Sequence, residues 1–277
     1  MFFFFFFSFV YLFLLFMFVL SFCWGAFVFD FYLFSFGGFD FSFVFLFDYV
    51  SLGFFRRVSF ISILVFMYSG FYISGTVELR RFFWLVYGFV FSIFLLVFSG
   101  NFFFIIVGWD GLGLVSFCLV VFYFNHRRLE SGLITVFRNR VGDVFFLGCF
   151  FFLFLSGFFL IGSGSDFFMF CLFLFFGAIT KSAQVPFSAW LPSAMAAPTP
   201  VSSLVHSSTL VTAGVYVLVR FCYVFFLIDF LFFKVFFVLT IVLAGFCANF
   251  EKDFKKIVAM STLSQLGLML FILSVGV

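Results

Sequence analysis

Charge is the scarcest property of this sequence. Asp, Glu, Lys and Arg together make up 9% of its 277 residues, and the net charge of +3 is too small to indicate nucleic-acid binding. Apolar residues make up 66% and the mean hydropathy is +1.37, whereas a soluble domain is roughly half apolar. The composition therefore excludes a soluble globular protein and predicts a polytopic membrane protein.

Metal-binding and redox motifs are missing as well. None of the six cysteines belongs to a C-x-x-C pair or a Cys/His cluster, so we expect no metal, no iron–sulfur cluster and no disulfide in this chain. All of them fall in apolar stretches: Cys23, Cys118, Cys149, Cys171, Cys222 and Cys247. The first apolar run has no basic region before it and no cleavage site, which indicates a retained helix rather than a signal peptide.

Phenylalanine is present in large excess, with 66 residues on every face of every apolar segment. Function would place aromatic residues selectively, so a uniform excess indicates mutational bias in the coding sequence. Such a bias is tolerated because Phe is about as favourable in lipid as Leu. It suggests an organelle genome.

Segments long enough to span a bilayer, about 20 apolar residues, recur nine times. Helices are expected because lipid leaves backbone groups no other arrangement short of a barrel, and the alternating pattern of a barrel is missing. The predicted fold is all-α, a polytopic transmembrane helix bundle. Residues 1–50 are predicted to form an N-terminal helix and an outward-facing loop, and residues 51–277 the bundle. The predicted spans are 2–24, 51–73, 82–98, 101–123, 132–156, 167–185, 200–221, 230–249 and 257–276.

Basic residues in the loops predict the orientation. When the loops are numbered from the N-terminus, the even-numbered loops contain seven Lys or Arg residues. The odd-numbered loops contain none between the spans, although four basic residues lie at the helix ends next to them. This places the even loops and the N-terminus inside, on the matrix or cytoplasmic side. The seven are Arg80, Arg81, Arg127, Arg128, Lys252, Lys255 and Lys256, and the four are Arg56, Arg57, Arg220 and Lys234.

An acidic residue lies within the fourth predicted span. Asp110, in the sequence Gly-Trp-Asp-Gly-Leu-Gly, is expected about 13–14 Å into a hydrocarbon core about 30 Å thick. An ionised side chain at the bilayer centre costs about 2.5–3.5 kcal/mol or more, which makes Asp110 a candidate functional residue. The alternative is a structural carboxylate, bonded across a helix pair that Gly108, Gly111 and Gly113 allow to approach closely.

A lysine near the end of the sixth predicted span is the second candidate. Pro186 removes the backbone hydrogen bond to the carbonyl of Ser182, so the helix is predicted to break just after Lys181. Broken helices form ion sites in transporters. Burial opposes the ammonium and a nearby carboxylate favours it, so such a lysine can take up and release a proton. Snorkelling towards an interface is the alternative, but Gln184 and the Pro-rich stretch 192–200 favour a packed break.

Two further spans carry polar stripes. On the fifth, Thr135, Asn139 and Asp143 share one face, and Arg140 and Asp143 can neutralise each other at i, i+3 spacing; a purely structural ion pair is the alternative. On the seventh, the stripe contains Ser202, His206, Thr209 and Thr212. A His titrates near neutral pH, so this face favours a hydrated path, whereas the alternative is a satisfied core histidine.

Asp253, Lys255 and Lys256 lie just before the ninth predicted span. They are interpreted as an interfacial anchor, followed by polar residues 261–265 that could extend an ion path. The sequence contains no nucleotide-binding loop and no metal-ligand cluster, so an ion path is the chemistry that these residues support.

Five motifs together closely resemble the antiporter-like membrane subunits of mitochondrial NADH dehydrogenase (complex I), relatives of Mrp-type cation/proton antiporters. Asn-Arg-Val-Gly-Asp and Thr-Ala-Gly-Val-Tyr point to the subunit 5 branch, and the resemblance covers about residues 46–277. The motifs are GWDGLGLVS (108–116), NRVGD (139–143), KSAQVPFSAWLP (181–192), PTPVSSLVHSSTLVTAGVYVLVR (198–220) and DFKKIVAMSTLSQLG (253–267).

The resemblance implies a role for each matching residue. Asp110 corresponds to the family's midmembrane acid, usually Glu, and Lys181 to the pumping lysine on the broken helix. Arg140 and Asp143 correspond to the charged pair beside the acid, and His206 to the histidine after the break. The predicted relay is therefore Asp110, Lys181 and His206, driven by quinone reduction elsewhere. The supporting residues are Arg140, Asp143, Thr209 and Lys256.

The resemblance also implies a setting. No cofactor is expected in this chain, whereas flavin, iron–sulfur clusters and ubiquinone are expected in partner subunits of the membrane complex. The expected location is the mitochondrial inner membrane, with the N-terminus on the matrix side, among membrane-arm subunits and lipids. The chain departs from the family in having one helix before residue 46 and in lacking the second half-repeat, which we expect a separate chain to supply.

Two other functions remain open from the sequence. The first is a subunit of an Mrp-like cation/proton antiporter, which the motifs barely distinguish from the respiratory enzyme. The second is a structural membrane subunit whose ion path has decayed, against which the joint retention of Asp110, Lys181 and His206 argues.

Overall fold

The computed structural model describes residues 2–36, 39–73, 78–123, 125–155, 164–204, 209–221 and 231–275. Two compact units make up the chain, Met1–Leu119 and Val120–Val277. The elements in the described ranges are α1 (Phe2–Trp24), β1 (Phe27–Phe36), β2 (Phe39–Phe47), α2 (Tyr49–Tyr72), α3 (Leu79–Phe98), α4 (Phe102–Val120), α5 (His126–Leu155), α6 (Gly164–Lys181), α7 (Trp190–Ala194), α8 (Thr199–Leu204), α9 (Leu210–Arg220), α10 (Leu231–Phe250) and α11 (Phe254–Val275).

Five of the described helices are long and apolar enough to cross a bilayer. They lie in α2, α3, α4, α10 and α11 and correspond to predicted spans two, three, four, eight and nine. Their ends are close to those predicted because an uninterrupted apolar run defines a span locally. The chain is thus a polytopic membrane helix bundle. The other four predicted spans correspond to α1, α5, α6 and the α8–α9 region, and the total of nine stays a prediction.

The segment after α1 is a β-hairpin, which is an exception to the all-α prediction. β1 pairs antiparallel with β2, from Phe27 opposite Phe47 to Phe36 opposite Phe39. A signal for it exists, because Phe occupies every second position of β2 and of the first half of β1, and a period of two is typical of strands. The alternation does not stand out in the sequence because Phe is in large excess throughout the chain.

Glycine residues set the spacing of α3 and α4 in the first unit. A Cβ atom on Gly108 would lie 2.7 Å from the backbone nitrogen of Leu96, and one on Gly111 would lie 3.2 Å from Cβ of Ser92. The close approach predicted for Gly108 and Gly111 is therefore confirmed. It holds the part of α4 that carries Asp110 directly against α3.

In the second unit, α5 and α6 pack side by side through another pair of glycines. A Cβ atom on Gly177 would lie 2.6 Å from the ring of Phe146, and one on Gly142 would collide with the side chain of Thr180. Because the α5 partner advances from 142 to 146 as the α6 partner retreats from 180 to 177, the two helices are antiparallel. Gly142 thus brings the Asn-Arg-Val-Gly-Asp motif against the last turn of α6.

Helix α5 starts earlier than predicted. The predicted fifth span begins at residue 132 and leaves Arg127 and Arg128 in a loop, whereas the helix runs for 30 residues from His126. At 1.5 Å per residue it is about 45 Å long, which exceeds a hydrocarbon core of about 30 Å. The added turns are polar, and His126 Nδ1 lies 3.2 Å from the carboxylate of Glu130. The helix therefore extends beyond the apolar segment that the hydropathy pattern identified.

Candidate functional site

Helix α6 ends at Lys181, where the sequence analysis expected a helix to break. The chain then continues through turns to α7, which begins at Trp190, and the Val185–Pro186 peptide bond in this stretch is cis. That the break near Lys181 and Pro186 interrupts the predicted sixth span (167–185) within the membrane stays a prediction.

A capping turn upstream of Pro186 ends the helix. The backbone N–H of Gln184 donates to the carbonyl of Ile179 at 3.3 Å, and Ala183 has φ +55°. This is the Schellman arrangement, in which the residue after the C-cap adopts the left-handed conformation. The side-chain amide of Gln184 also donates to the carbonyl of Ser182 at 3.1 Å. The carbonyl that Pro186 was predicted to leave without its helical partner is thus satisfied locally.

Ala183→Gly is expected to destabilise the protein less than Ala178→Gly, by about 1–2 kcal/mol. Both changes delete a buried methyl group, because Ala183 and Ala178 are 0% exposed, but glycine adopts the left-handed conformation of position 183 without a Cβ penalty of about 1–2 kcal/mol. The midpoint of heat inactivation of the solubilised complex measures the effect. Equal losses of stability from the two changes would contradict this explanation.

Lys181 is completely buried, with 0% of its surface exposed. The adjacent Thr180, Ser182 and Gln184 are also 0% exposed. A snorkelling lysine keeps its ammonium group accessible, so the snorkelling alternative is wrong. The lysine belongs to the interior of the second unit, where a charged ammonium is stable only with compensating polar groups.

Trp190 connects α7 to the end of α6. Its indole Nε1–H donates to the carbonyl of Thr180 at 3.2 Å, one of the terminal carbonyls that have no partner within a helix. Trp190 is not among the functional residues predicted from the sequence. The available signal was a tryptophan close behind a predicted helix break, because a buried indole N–H needs an acceptor and a helix end offers several.

Trp190→Phe is expected to destabilise the site by about 1–3 kcal/mol, because the Thr180 carbonyl is left buried without its donor while the aromatic packing is largely kept. The heat-inactivation midpoint of the assembled complex measures this change. Trp84→Phe serves as the control, since Trp84 is 57% exposed on α3. Equal effects at the two positions would contradict a specific role for the Trp190 hydrogen bond.

Helix α9 approaches the backbone of α6 at Gly214. A Cβ atom there would lie 2.7 Å from the carbonyl oxygen of Ala178 and 3.0 Å from the backbone nitrogen of Ser182. Gly214 belongs to the Thr-Ala-Gly-Val-Tyr motif, and its contact explains why that motif needs a glycine. The last turn of α6 is therefore held by α9, by α5 through Gly142, and by Trp190 of α7.

The predicted polar stripe of α5 is partly buried. Arg140 and Asp143 form an ion pair at 3.4 Å, with side-chain exposures of 48% and 15%. Thr135 and Asn139 are 4% and 3% exposed. The stripe thus runs from a half-exposed ion pair to a buried amide and hydroxyl.

The other predicted relay residues are placed as follows. Asp110 is half-buried on α4 in the first unit, whereas Lys181 belongs to the second, and their proximity stays a prediction. Thr209 is 1% exposed, and its hydroxyl donates to the carbonyl of Leu204. His206 lies outside the described residues, so its predicted role stays a prediction.

Lys256 lies in a cluster of charges before and at the start of α11. Its ammonium is 3.5 Å from Asp253 and 3.7 Å from Glu251, and its side chain is 39% exposed. The same segment and the α7 region, including Ser193, line one cavity of about 520 Å³. Predicted loops six and eight therefore share one side of the second unit, as two even-numbered loops must.

The fold and the site define a class, the polytopic membrane helix bundles that bury ionisable residues between helices. Residues 99–277 match the family described as NADH:quinone oxidoreductase/Mrp antiporter, transmembrane. The chain belongs to this family, which confirms the resemblance found in the sequence.

Curated relatives from arthropods are similar over most of the chain. NADH-ubiquinone oxidoreductase chain 5 of Locusta migratoria is 47% identical over 237 residues, covering 83% of this chain and 41% of the relative. The protein of the same name from Aedes aegypti is 48% identical over 241 residues, with the same coverages of 83% and 41%. The chain thus spans about two fifths of the length of these relatives.

Two solved structures share the fold. A chain of the Mrp complex from a Dietzia species superposes with a TM-score of 0.82 at 25% identity, covering 91% of this chain and 29% of that chain. A chain of the archaeal membrane-bound sulfane sulfur reductase superposes with a TM-score of 0.80 at 20% identity, covering 95% of this chain and 57% of that chain. The second likeness concerns the fold alone.

Proposed function

We propose that this chain is a proton-translocating subunit in the membrane arm of an NADH:ubiquinone oxidoreductase. The observation that carries the proposal is Lys181, fully buried at the end of α6 in a member of this family. The relatives that are 47–48% identical over 83% of this chain are named as chain 5 of such an enzyme. A buried lysine has no structural advantage over an apolar residue of the same length, which supports a role in carrying charge.

The proposed relay runs through Asp110, Lys181 and His206. Quinone reduction in partner subunits separates the Asp110 carboxylate from the Lys181 ammonium, and desolvation then favours the neutral amine. The proton released by Lys181 passes towards His206 through hydroxyl groups or water. Supporting residues tune the fields and hydrogen bonds along this path: Arg140, Asp143, Thr209 and Lys256.

The proposal includes an architecture. The bundle of residues 51–277 follows an N-terminal helix and outward segment (1–50), has nine spans, and contains one span broken near Lys181 and Pro186. The N-terminus faces the matrix, and the complex lies in the mitochondrial inner membrane. This chain holds no redox centre, so flavin, iron–sulfur clusters and ubiquinone are bound by partner subunits.

Native electrophoresis of solubilised membranes, with mass spectrometry of the band that contains this chain, tests the assignment. Co-migration with an NADH-oxidising flavin and iron–sulfur assembly is the expected result. The same band tests whether a second chain supplies the remainder of the family's length. Absence of any redox subunit from the band would contradict the proposal.

The second candidate is a subunit of an Mrp-like cation/proton antiporter, favoured by the TM-score of 0.82 with the Dietzia Mrp complex. It predicts a small complex without redox subunits, and sodium-dependent proton exchange in vesicles. The two arthropod relatives are both named NADH-ubiquinone oxidoreductase chain 5, which favours the respiratory enzyme over this alternative.

A further inference from the structure

Asn139 on α5 carries two buried polar atoms with unmet hydrogen-bonding capacity. The residue is 3% exposed, and neither its amide nitrogen nor its amide oxygen has a partner among the described residues. The neighbouring Thr135 differs, since its hydroxyl donates to the carbonyl of Gly132 at 2.7 Å. Buried amide groups in native folds are satisfied by protein atoms or by ordered water, because an unsatisfied one costs about 1–3 kcal/mol.

The packing of α5 on α6 places Asn139 beside the end of α6. Gly142 meets Thr180, and the two helices are antiparallel. One turn before Gly142 on α5 is Asn139, and one turn beyond Thr180 is the capping turn that contains Gln184. Helix α5 also packs against α7, so it stays alongside the chain after α6 has ended.

Gln184 offers a third polar atom at this level. The residue is 0% exposed, and its Oε1 has no hydrogen-bond partner within the described part of the chain. Its Nε2 already donates to the carbonyl of Ser182, so the orientation of the amide is set and Oε1 can act only as an acceptor. Asn139 supplies both a donor and an acceptor. Together these atoms match a buried water, which makes about three hydrogen bonds.

We infer that Asn139 and Gln184 bind a water molecule at the end of α6, within the turn that begins at Lys181. The water accepts from the Asn139 amide nitrogen and donates to Gln184 Oε1. Its role in transfer rests on the proposed function: as the Lys181 ammonium gives its proton to the water, the water gives one of its own protons to the next acceptor. The lysine becomes a neutral amine and the water is unchanged.

Asn139→Leu tests the inference in the assembled complex. The change keeps the number and branching of the side-chain heavy atoms and removes both amide groups, so we expect the rate of proton translocation to fall by about tenfold, below the usual contribution of 10²–10⁴ from a positioned proton-transfer group. Thermal stability should fall, because the water is lost and Gln184 Oε1 is left buried without a donor. Asn139→Ser, which keeps a polar group and leaves room for water, should retain the rate within about twofold.

The matched control is Thr135→Val, one turn away on the same buried face. Its hydroxyl is already used within α5, so translocation should not change. If Asn139→Leu also leaves translocation unchanged while Lys181→Met abolishes it, the water inference is wrong and the proposed function stands. If Lys181→Met has no effect, the proposed function fails, and the role of the water in transfer fails with it.

A cryo-EM map of the complex that resolves ordered water provides a test that needs no variant and does not depend on proton translocation. Density is expected within about 3.2 Å of both Asn139 Nδ2 and Gln184 Oε1. A direct hydrogen bond between the two amides, or a protein group that fills the space between them, would overturn the inference whatever the function of the chain.

Discussion

Lys181→Met abolishes the proton translocation that depends on this chain if the proposed relay is correct. Met has about the length of Lys without its charge and adapts to irregular cores, so the fully buried site keeps its packing. The ammonium that carries the proton is lost. The number of protons moved per NADH oxidised should therefore fall, as measured by acidification of the interior of inverted membrane vesicles during NADH oxidation.

The control is the same change at a lysine that does not enter the interior. Lys255 is exposed at the start of α11, and Lys255→Met should leave the proton yield unaltered. An unchanged yield in Lys181→Met, with normal assembly, would support the structural alternative, a membrane subunit with a decayed ion path. A reduced yield in both variants would point to a general effect of removing positive charge.

Gly214→Ala is expected to prevent normal assembly. The added methyl group would lie 2.7 Å from the carbonyl oxygen of Ala178 and 3.0 Å from the backbone nitrogen of Ser182. Both are backbone atoms at the C-terminal end of α6, where Ser182 directly follows the last helical residue, so no flexible side chain can move aside. Overpacking of this kind costs about 1–3 kcal/mol or more, and relief requires α6 to shift at the turn that holds Lys181. The amount of assembled complex on a native gel measures the effect.

Gly245→Ala is the matched control for this prediction. Gly245 is also helical, in α10, but it is exposed and a Cβ atom there has nothing within 4 Å. Removing a glycine from an open helix position should be neutral or stabilise by about 0.5–1 kcal/mol. Equal losses of assembly at Gly214 and Gly245 would contradict the close approach of α9 to α6 as the cause.

The predictions that the structure confirmed were local in character. The ends of α2, α3, α4, α10 and α11 follow from uninterrupted apolar runs, which any span of a bilayer requires. The ion pair of Arg140 with Asp143 follows from i, i+3 spacing on one helix. The sequence pattern of the β-hairpin was also local, but its alternating Phe residues did not stand out because Phe is in excess throughout the chain.

The membrane class, the family and the helix end at Lys181 were determined by the sequence itself, because hydropathy, motif spacing and turn chemistry act over short stretches. Only the tertiary structure decided three other features: the burial of Lys181, the need for glycine at position 214 and the hydrogen bond from Trp190 to Thr180. Each joins segments that are separated along the chain, or depends on which face of a helix meets its neighbour. In a chain so uniformly apolar, hydropathy does not distinguish a lipid-facing side from a protein-facing side, so packing alone assigns the interior.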